Sequence, residues 1–262
     1  MIEQKIKEYL KKNGFGHFCP KAVLFDMDGV LYDSMPNHAV AWQRSMAGFG
    51  IKMTAADAYA TEGARGIDTI RLFVKQQKGE DITLEEAQRM YDEKSRLFHE
   101  MPTPPIFPGV IDLMKKIKAS GMQVGVVTGS GQRPLIQRLL NDFGEFIDER
   151  HITTAYDVEQ GKPFPDPYLI GLKKAGGLQP WEGIVVENAP LGVRAGVAAK
   201  CFTVAVNSGP LPDKALADEG ADLIYQNMIQ LCADWAELTN QPNDTEAVSY
   251  THLRAHETRE DL

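Results

Sequence analysis

Short apolar runs that stop abruptly on a polar residue restrict the fold of this chain more than any other feature. Residues 22–25 (AVLF) end at Asp26, residues 124–127 at Thr128, and residues 184–186 at Glu187. A further run covers 202–206, with shorter candidates at 152–153 and 223–224. Three to five residues, almost all apolar and without polar alternation, suit a strand covered on both faces, as in a parallel sheet. Between the runs, helical patterns occupy 110–119, 133–143, 167–175, 191–199 and 214–218. This alternation predicts an α/β fold, a doubly wound, mainly parallel, Rossmann-like sheet with right-handed crossovers.

One stretch breaks the rhythm. Residues 35–103 contain no buried-strand run, only helical patterns at 38–49, 68–77 and 84–99. In the last of these, Leu84, Ala87, Met90, Tyr91, Lys94, Leu97 and Phe98 track one face. The stretch is entered through Ser34-Met35-Pro36 and left through Met101-Pro102-Thr103-Pro104-Pro105, where prolines forbid helix and stiffen the chain. It reads as an inserted α-helical cap on two hinge linkers, dividing the α/β core into 21–34 and 104–240. Residues 1–20 read as a helical extension packed on the body, with Ile2, Ile6, Tyr9 and Leu10 on one side and a stop at Asn13-Gly14. Residues 241–262 are expected to be disordered or artefactual, since 248–262 resembles translated adapter sequence. The i, i+4 pair His252 and His256 within it is therefore not taken as a metal clamp.

Charge and cysteine usage exclude several partners. The 28 Lys and Arg against 36 Asp and Glu leave −8, unsuited to nucleic acid or an anionic membrane surface. No apolar run approaches the roughly 18 residues of a membrane span, and the first residues lack a secretory apolar stretch. Cys19, Cys201 and Cys232 fit neither a disulfide framework nor a zinc knuckle. The expectation is a cytoplasmic, monomeric enzyme acting on a small molecule.

The chemistry sits at the strand ends. Asp26 and Asp28 in FDMDGV leave the sheet two residues apart, so both carboxylates face one side, a repulsive arrangement unless a cation neutralises it. In open α/β sheets, ligands bind beyond such carboxyl ends. Thr128-Gly129-Ser130-Gly131 ends the second run with a hydroxyl, and glycine there lets backbone N–H groups approach an anion. It begins like a dinucleotide loop, but Pro134 replaces the third glycine and no acidic residue closes a strand about 20 residues on. Lys162 is held between Gly161 and Pro163, with no phosphate-binding P-loop before it. Glu187 and Asn188 offer hard oxygen donors suited to Mg²⁺. Gly192 and Gly196 beyond them read as close helix packing. Three acids, Asp26, Asp28 and Glu187, against Lys162 leave room for one divalent cation beside a phosphate.

In this order, DMDGV, TGS, the lysine of GKPFPDPY and Glu187-Asn188 resemble the four motifs of the haloacid dehalogenase (HAD) superfamily. The helical insert after the first motif resembles the cap of its β-phosphoglucomutase-like branch. The resemblance implies an aspartyl-phosphate formed on Asp26, with Asp28 as the acid that protonates the leaving oxygen and then the base that activates the acceptor. It implies that Thr128, seconded by Ser130, hydrogen-bonds the phosphoryl and that Lys162 neutralises charge there. Mg²⁺ would bind Asp26, the Asp28 carbonyl and Asn188, with Glu187 directly or through water. Gly29 and Gly129 fall among the substrate-binding positions.

The fourth motif commonly carries two acids, and the neutral Asn188 would bind magnesium more weakly. The cap should decide the substrate, because it closes over the leaving group and excludes water. His38 and Trp42 occupy positions that β-phosphoglucomutases also fill with His and Trp. Where sugar-phosphate mutases usually place a lysine and an arginine, this chain has Glu62 and Gly66, with Arg65 one residue early. Lys94 matches a further cap lysine. The implied function is a Mg²⁺-dependent phosphohydrolase for a small phosphorylated metabolite or inorganic pyrophosphate. The alternative is a β-phosphoglucomutase working through the same intermediate.

Overall fold

The computed structural model describes residues 1–131 and 133–239; the expectations for 241–262 lie outside them. Six strands form one sheet: β1 (Ala22–Phe25), β2 (Gln123–Val127), β3 (Ile147–Thr153), β4 (Gly183–Glu187), β5 (Phe202–Val206) and β6 (Leu223–Tyr225). Their order is β3-β2-β1-β4-β5-β6, and every pair is parallel. The chain winds outward from β1 through β2 to β3, then restarts on the other side with β4. That reversal opens a crevice beyond the carboxyl ends of β1 and β4.

Register decides what reaches the crevice. Phe25 pairs with both Val126 and Val186, so Asp26 emerges level with Glu187 on one side and one residue short of Thr128 on the other. Apolar runs make this possible because both faces of the sheet are covered. Val23 and Phe25 face a large core shared with α1 (Ile2–Asn13), α6 (Val110–Ala119), α7 (Arg133–Phe143) and α11 (Met228–Thr239). Leu24, Val127 and Val185 face the opposite side, under α8 (Asp166–Lys174) and α9 (Pro190–Ala198). The short α10 (Asp213–Ala217) contributes Leu216 to a small cluster with Val193 and Ala205. Helix α1 buries Ile2, Ile6 and Tyr9 and ends at Gly14, whose φ of 71° is the left-handed cap that glycine adopts without strain. Tyr9 also donates to the Lys200 carbonyl at 2.8 Å, so the extension is tied to the core.

Between β1 and α6 lie α2 (Met35–Gly48), α3 (Ala55–Ala60), α4 (Gly66–Lys78) and α5 (Leu84–His99). They enclose a separate apolar cluster containing Trp42, Met46, Ile70, Phe73, Ala87 and Met90. Two helices and most of one strand go beyond the sequence reading. Helix α3 spans only six residues, too few to show a period, and is started by a Thr54–Asp57 capping box. Helix α11 carries Met228, Leu231, Cys232, Trp235 and Leu238 at helical spacing, a pattern present in the sequence but overlooked. Strand β3 is an edge strand with exposed Glu149 and Arg150 at its centre, so it offers no apolar run.

Candidate active site

Lys162 is the hub of the crevice. It is 4% exposed, and its ammonium spends its donors on Asp26 Oδ1 at 2.5 Å, Glu187 Oε1 at 2.6 Å and the Val127 carbonyl at 3.1 Å. The Tyr168 hydroxyl, on the first turn of α8, donates to the same Glu187 oxygen at 2.5 Å. Glu187 Oε2 accepts from the Asn188 backbone N–H at 3.1 Å. Both Glu187 oxygens are thus engaged within the protein, as the partner of Lys162 rather than as a carboxylate open to a metal. Gly192 has a sharper role than helix packing: a Cβ there would lie 2.0 Å from the Glu187 carboxyl carbon.

Burial and charge compete here. Burial raises the Asp26 carboxyl to about 7; Lys162 pulls it down, while Glu187 and Asp28 push it up. Burial would lower the Lys162 ammonium, but Asp26 and Glu187 outweigh it and leave the group above its ordinary value.

Asp28 is held from the cap side. Its Oδ1 accepts from the Ser34 hydroxyl at 2.6 Å and lies 3.0 Å from His38 Nε2, off the alignment of a full hydrogen bond. Burial opposes its ionisation, but His38, Ser34 and the charge of Lys94 prevail and hold it at about 2. His38 is pushed below its usual value by burial and by Lys94, with Asp28 opposing. A neutral ring protonated on Nε2 would accept from Lys94 Nζ, which lies 2.7 Å from Nδ1. The ring stacks on Phe98 at 4.1 Å between centroids.

Lys94 is not a solvated helix residue. It is 5% exposed, with Trp42, Phe98 and Tyr91 ring centroids 5.1, 5.2 and 5.8 Å from its ammonium. Burial lowers it to about 8, with Asp28 opposing. A lysine held at about 8 instead of 10.5 costs the folded state about 3 kcal/mol below pH 8, and the cost fades as pH rises toward 10.5. Lys94→Met should therefore raise the melting temperature at pH 7, lose that advantage near pH 10, and lower activity. Thermal melts at the two pH values check this.

The cap supplies the roof. Glu62 places both carboxylate oxygens 3.0 Å from Asn188 Nδ2. Burial, and secondarily Asp26, push it well above the usual carboxylate range, with Asn188 opposing. Gly29 makes room with φ 78°: a Cβ there would lie 2.0 Å from Asn188 Nδ2. Thr128 Oγ1 accepts from the Ser130 backbone N–H at 3.0 Å, shaping that loop around its own hydroxyl.

A cavity opens between these layers. Asp26, Asp28, Thr128, Gly129 and Ser130 form its core wall, and His38, Trp42, Glu62 and Lys94 its cap wall. Arg65 departs from the expectation. Asp68 and the Glu159 carbonyl take its guanidinium, and it lies outside this cavity. Tyr168 and Ser34 were missed in the sequence, where neither carries a signal beyond its place near a motif.

Among the described residues, no three His, Cys, Asp or Glu side chains converge as a metal cluster. Asp28 faces Ser34 and His38, while Glu187 faces Lys162. The donors that do fit a hard cation are mixed. Asn188 Oδ1 is buried without a hydrogen-bond partner, an oxygen that a cation would satisfy, and it stands near acids exceeding Lys162 in charge.

A parallel α/β core with a carboxylate–lysine centre under a helical cap defines the class: a capped α/β enzyme. The profile of the haloacid dehalogenase-like hydrolases matches residues 23–206, and the chain belongs to that family. Hexitol phosphatase A of Escherichia coli (strain K12) is 32% identical over 223 residues, covering 85% of this chain and 96% of that protein. Glycerol-1-phosphate phosphohydrolase 2 of Saccharomyces cerevisiae is 31% identical over 219 residues, covering 79% and 82%. A solved structure from Bacteroides vulgatus, provisionally assigned as a β-phosphoglucomutase, shares 43% identity and a TM-score of 0.87 over 92% of this chain and 98% of that one. No helix among the described residues is long and apolar enough to cross a membrane.

Proposed function

We propose that the protein is a Mg²⁺-dependent phosphohydrolase for a small phosphorylated metabolite or inorganic pyrophosphate, working through a phosphoryl group carried on Asp26. The observation that carries the choice is Glu62, a buried acid lowered from the cap onto Asn188 where a mutase would present basic groups. A carboxyl roof offers no cation to a sugar's second, free phosphate, and in its ionised form repels it. It tolerates a neutral polyol, or a pyrophosphate whose charge a metal already offsets. The relatives named as hexitol and glycerol-1-phosphate phosphatases agree with the first substrate type.

In this reading an Asp26 oxygen attacks phosphorus and the P–O bond to the leaving group breaks. Lys162 and Thr128 face the charge that gathers on the phosphoryl oxygens. Asp28 supplies a proton to the departing oxygen and then takes one from water, whose oxygen displaces phosphate and restores Asp26. Free Asp28 is ionised, the form the second step needs. The first needs it protonated, which an incoming phosphoryl dianion favours by repulsion. Asp26, Asn188 and the Asp28 carbonyl would hold Mg²⁺, with Glu62 close by. The ion would offset the excess negative charge and polarise the phosphoryl oxygens.

One observation favours a second reading. The 43% identical structure is provisionally assigned as a β-phosphoglucomutase, which would return the phosphoryl to sugar instead of water. Incubation with Mg²⁺ and pyrophosphate, hexitol phosphates, hexose phosphates or β-glucose 1-phosphate separates the two. Free phosphate is expected; glucose 6-phosphate as the main product would overturn the hydrolase reading. Glu62→Ala should shift the substrate preference about tenfold or more, and an unchanged profile would refute the role given to the roof.

A further inference from the structure

Two side chains of the cap segment 61–66 hydrogen-bond to the core. Glu62 reaches Asn188 at the centre, and Arg65 reaches the Lys162 loop at the rim. We infer that the second contact is a latch: Arg65 is a positioning residue that holds the cap closed over the phosphoryl site, not a ligand for substrate. The kinetic part of this inference rests on the phosphohydrolase reading; the structural part does not.

The guanidinium is aimed by its neighbours. Asp68 takes Nε at 2.7 Å and Nη2 at 3.3 Å, which orients the planar fork and leaves Nη1 to donate to the Glu159 carbonyl at 2.7 Å. Asp68 is itself fixed on the first turn of α4, where its backbone N–H donates to the Arg65 carbonyl at 2.9 Å. The stem of Arg65 lies flat on Gly161, where an added Cβ would sit 2.7 Å from Arg65 Cγ. Gly161 opens the turn that carries Lys162, closed by Phe164 N–H donating to the Gly161 carbonyl at 3.0 Å.

What the latch keeps in place is visible on the other side of the segment. A Cβ at Gly63 would lie 3.1 Å from Lys162 Cδ, and one at Gly129 would lie 3.0 Å from the Gly63 carbonyl oxygen. Residues 63–65 therefore press against both the lysine loop and the Thr128-Gly129 loop. Lifting the cap breaks the Arg65–Glu159 bond, which involves no reacting atom and so persists whatever occupies the site.

The test uses the full chain and Arg65→Ala, with Gly161→Ala as a second route to the same lesion. Hydrogen–deuterium exchange of amides 61–66 and 159–164, without substrate, should quicken about fivefold to tenfold in Arg65→Ala. The kcat/KM should fall by a similar factor for pyrophosphate and for a hexitol phosphate alike. Gly161→Ala should reproduce the loss and add nothing to Arg65→Ala. Unchanged exchange in 159–164 would overturn the latch, as would additive losses in the double variant. A kinetic loss confined to one substrate would also overturn it, marking Arg65 as a direct ligand. Should the native protein cleave neither substrate, the phosphohydrolase reading fails, and the exchange measurements alone decide the latch.

Discussion

Asp26→Asn should abolish phosphate release, by on the order of 10³-fold or more, while leaving the fold intact. The amide has nearly the shape of the carboxylate and can still accept from Lys162 through its oxygen. It has no anionic oxygen with which to attack phosphorus. The substitution also removes one of the two acids that share the ammonium, leaving Glu187 as its counter-charge at 2.6 Å. Folding stability should therefore hold or rise, since a buried carboxyl raised to about 7 is itself a cost to the folded state. Phosphate-release assays beside thermal melts check both halves. Full turnover in the variant would refute a covalent route through this residue.

Lys162→Met carries the second large effect, and it acts on stability as well as rate. Removing the ammonium leaves Asp26 and Glu187 buried, at 3% and 0% exposure, without the cation between them. Breaking a buried ion pair on one side costs about 3–5 kcal/mol. The pH dependence follows from the direction of the Asp26 shift. A carboxyl whose folded pKa is raised binds its proton more tightly folded than unfolded, so its penalty is full above the folded value. The penalty shrinks as pH falls toward the ordinary carboxylate range. With Lys162 gone, the pull that lowers Asp26 disappears and the folded value rises further. The deficit in urea midpoint should be large at pH 8 and clearly smaller at pH 5. Activity should fall about 10²-fold or more through loss of charge stabilisation at the phosphoryl. An equal deficit at both pH values would mean that ordinary packing, not electrostatics, is what the lysine contributes.

How much of this was legible depends on how local each signal is. The strands β1, β2, β4 and β5 could be read from runs of three to five residues, almost all apolar. Their polar stops, Asp26, Thr128 and Glu187, mark where a strand leaves the sheet. The helical insert was readable because strand runs vanish and prolines bracket it. Helix α3 and the edge strand β3 were not, since one is too short for a period and the other is half exposed. At the site, residue types could be read but orientations could not. Glu187 and Asn188 are adjacent in sequence, yet one side chain turns into the sheet toward Lys162 and the other toward the cap. Lys94 sits on an α5 face that also suits solvent exposure, and only the rings of Trp42, Tyr91 and Phe98 make it a buried cation.

The amino-acid order alone determined the layered α/β architecture, the place of the insert and which strand ends carry acids, because periodicity and strand termination are properties of neighbouring residues. Tertiary structure decided which acid pairs with Lys162, that Glu62 closes on Asn188, and that Arg65 grips a core carbonyl instead of facing the cavity. Those outcomes depend on contacts between segments that are not neighbours in the chain, from Lys162 with Glu187 to Lys162 with Asp26, where a single rotamer or a missing Cβ, as at Gly161 and Gly192, selects one partner over another.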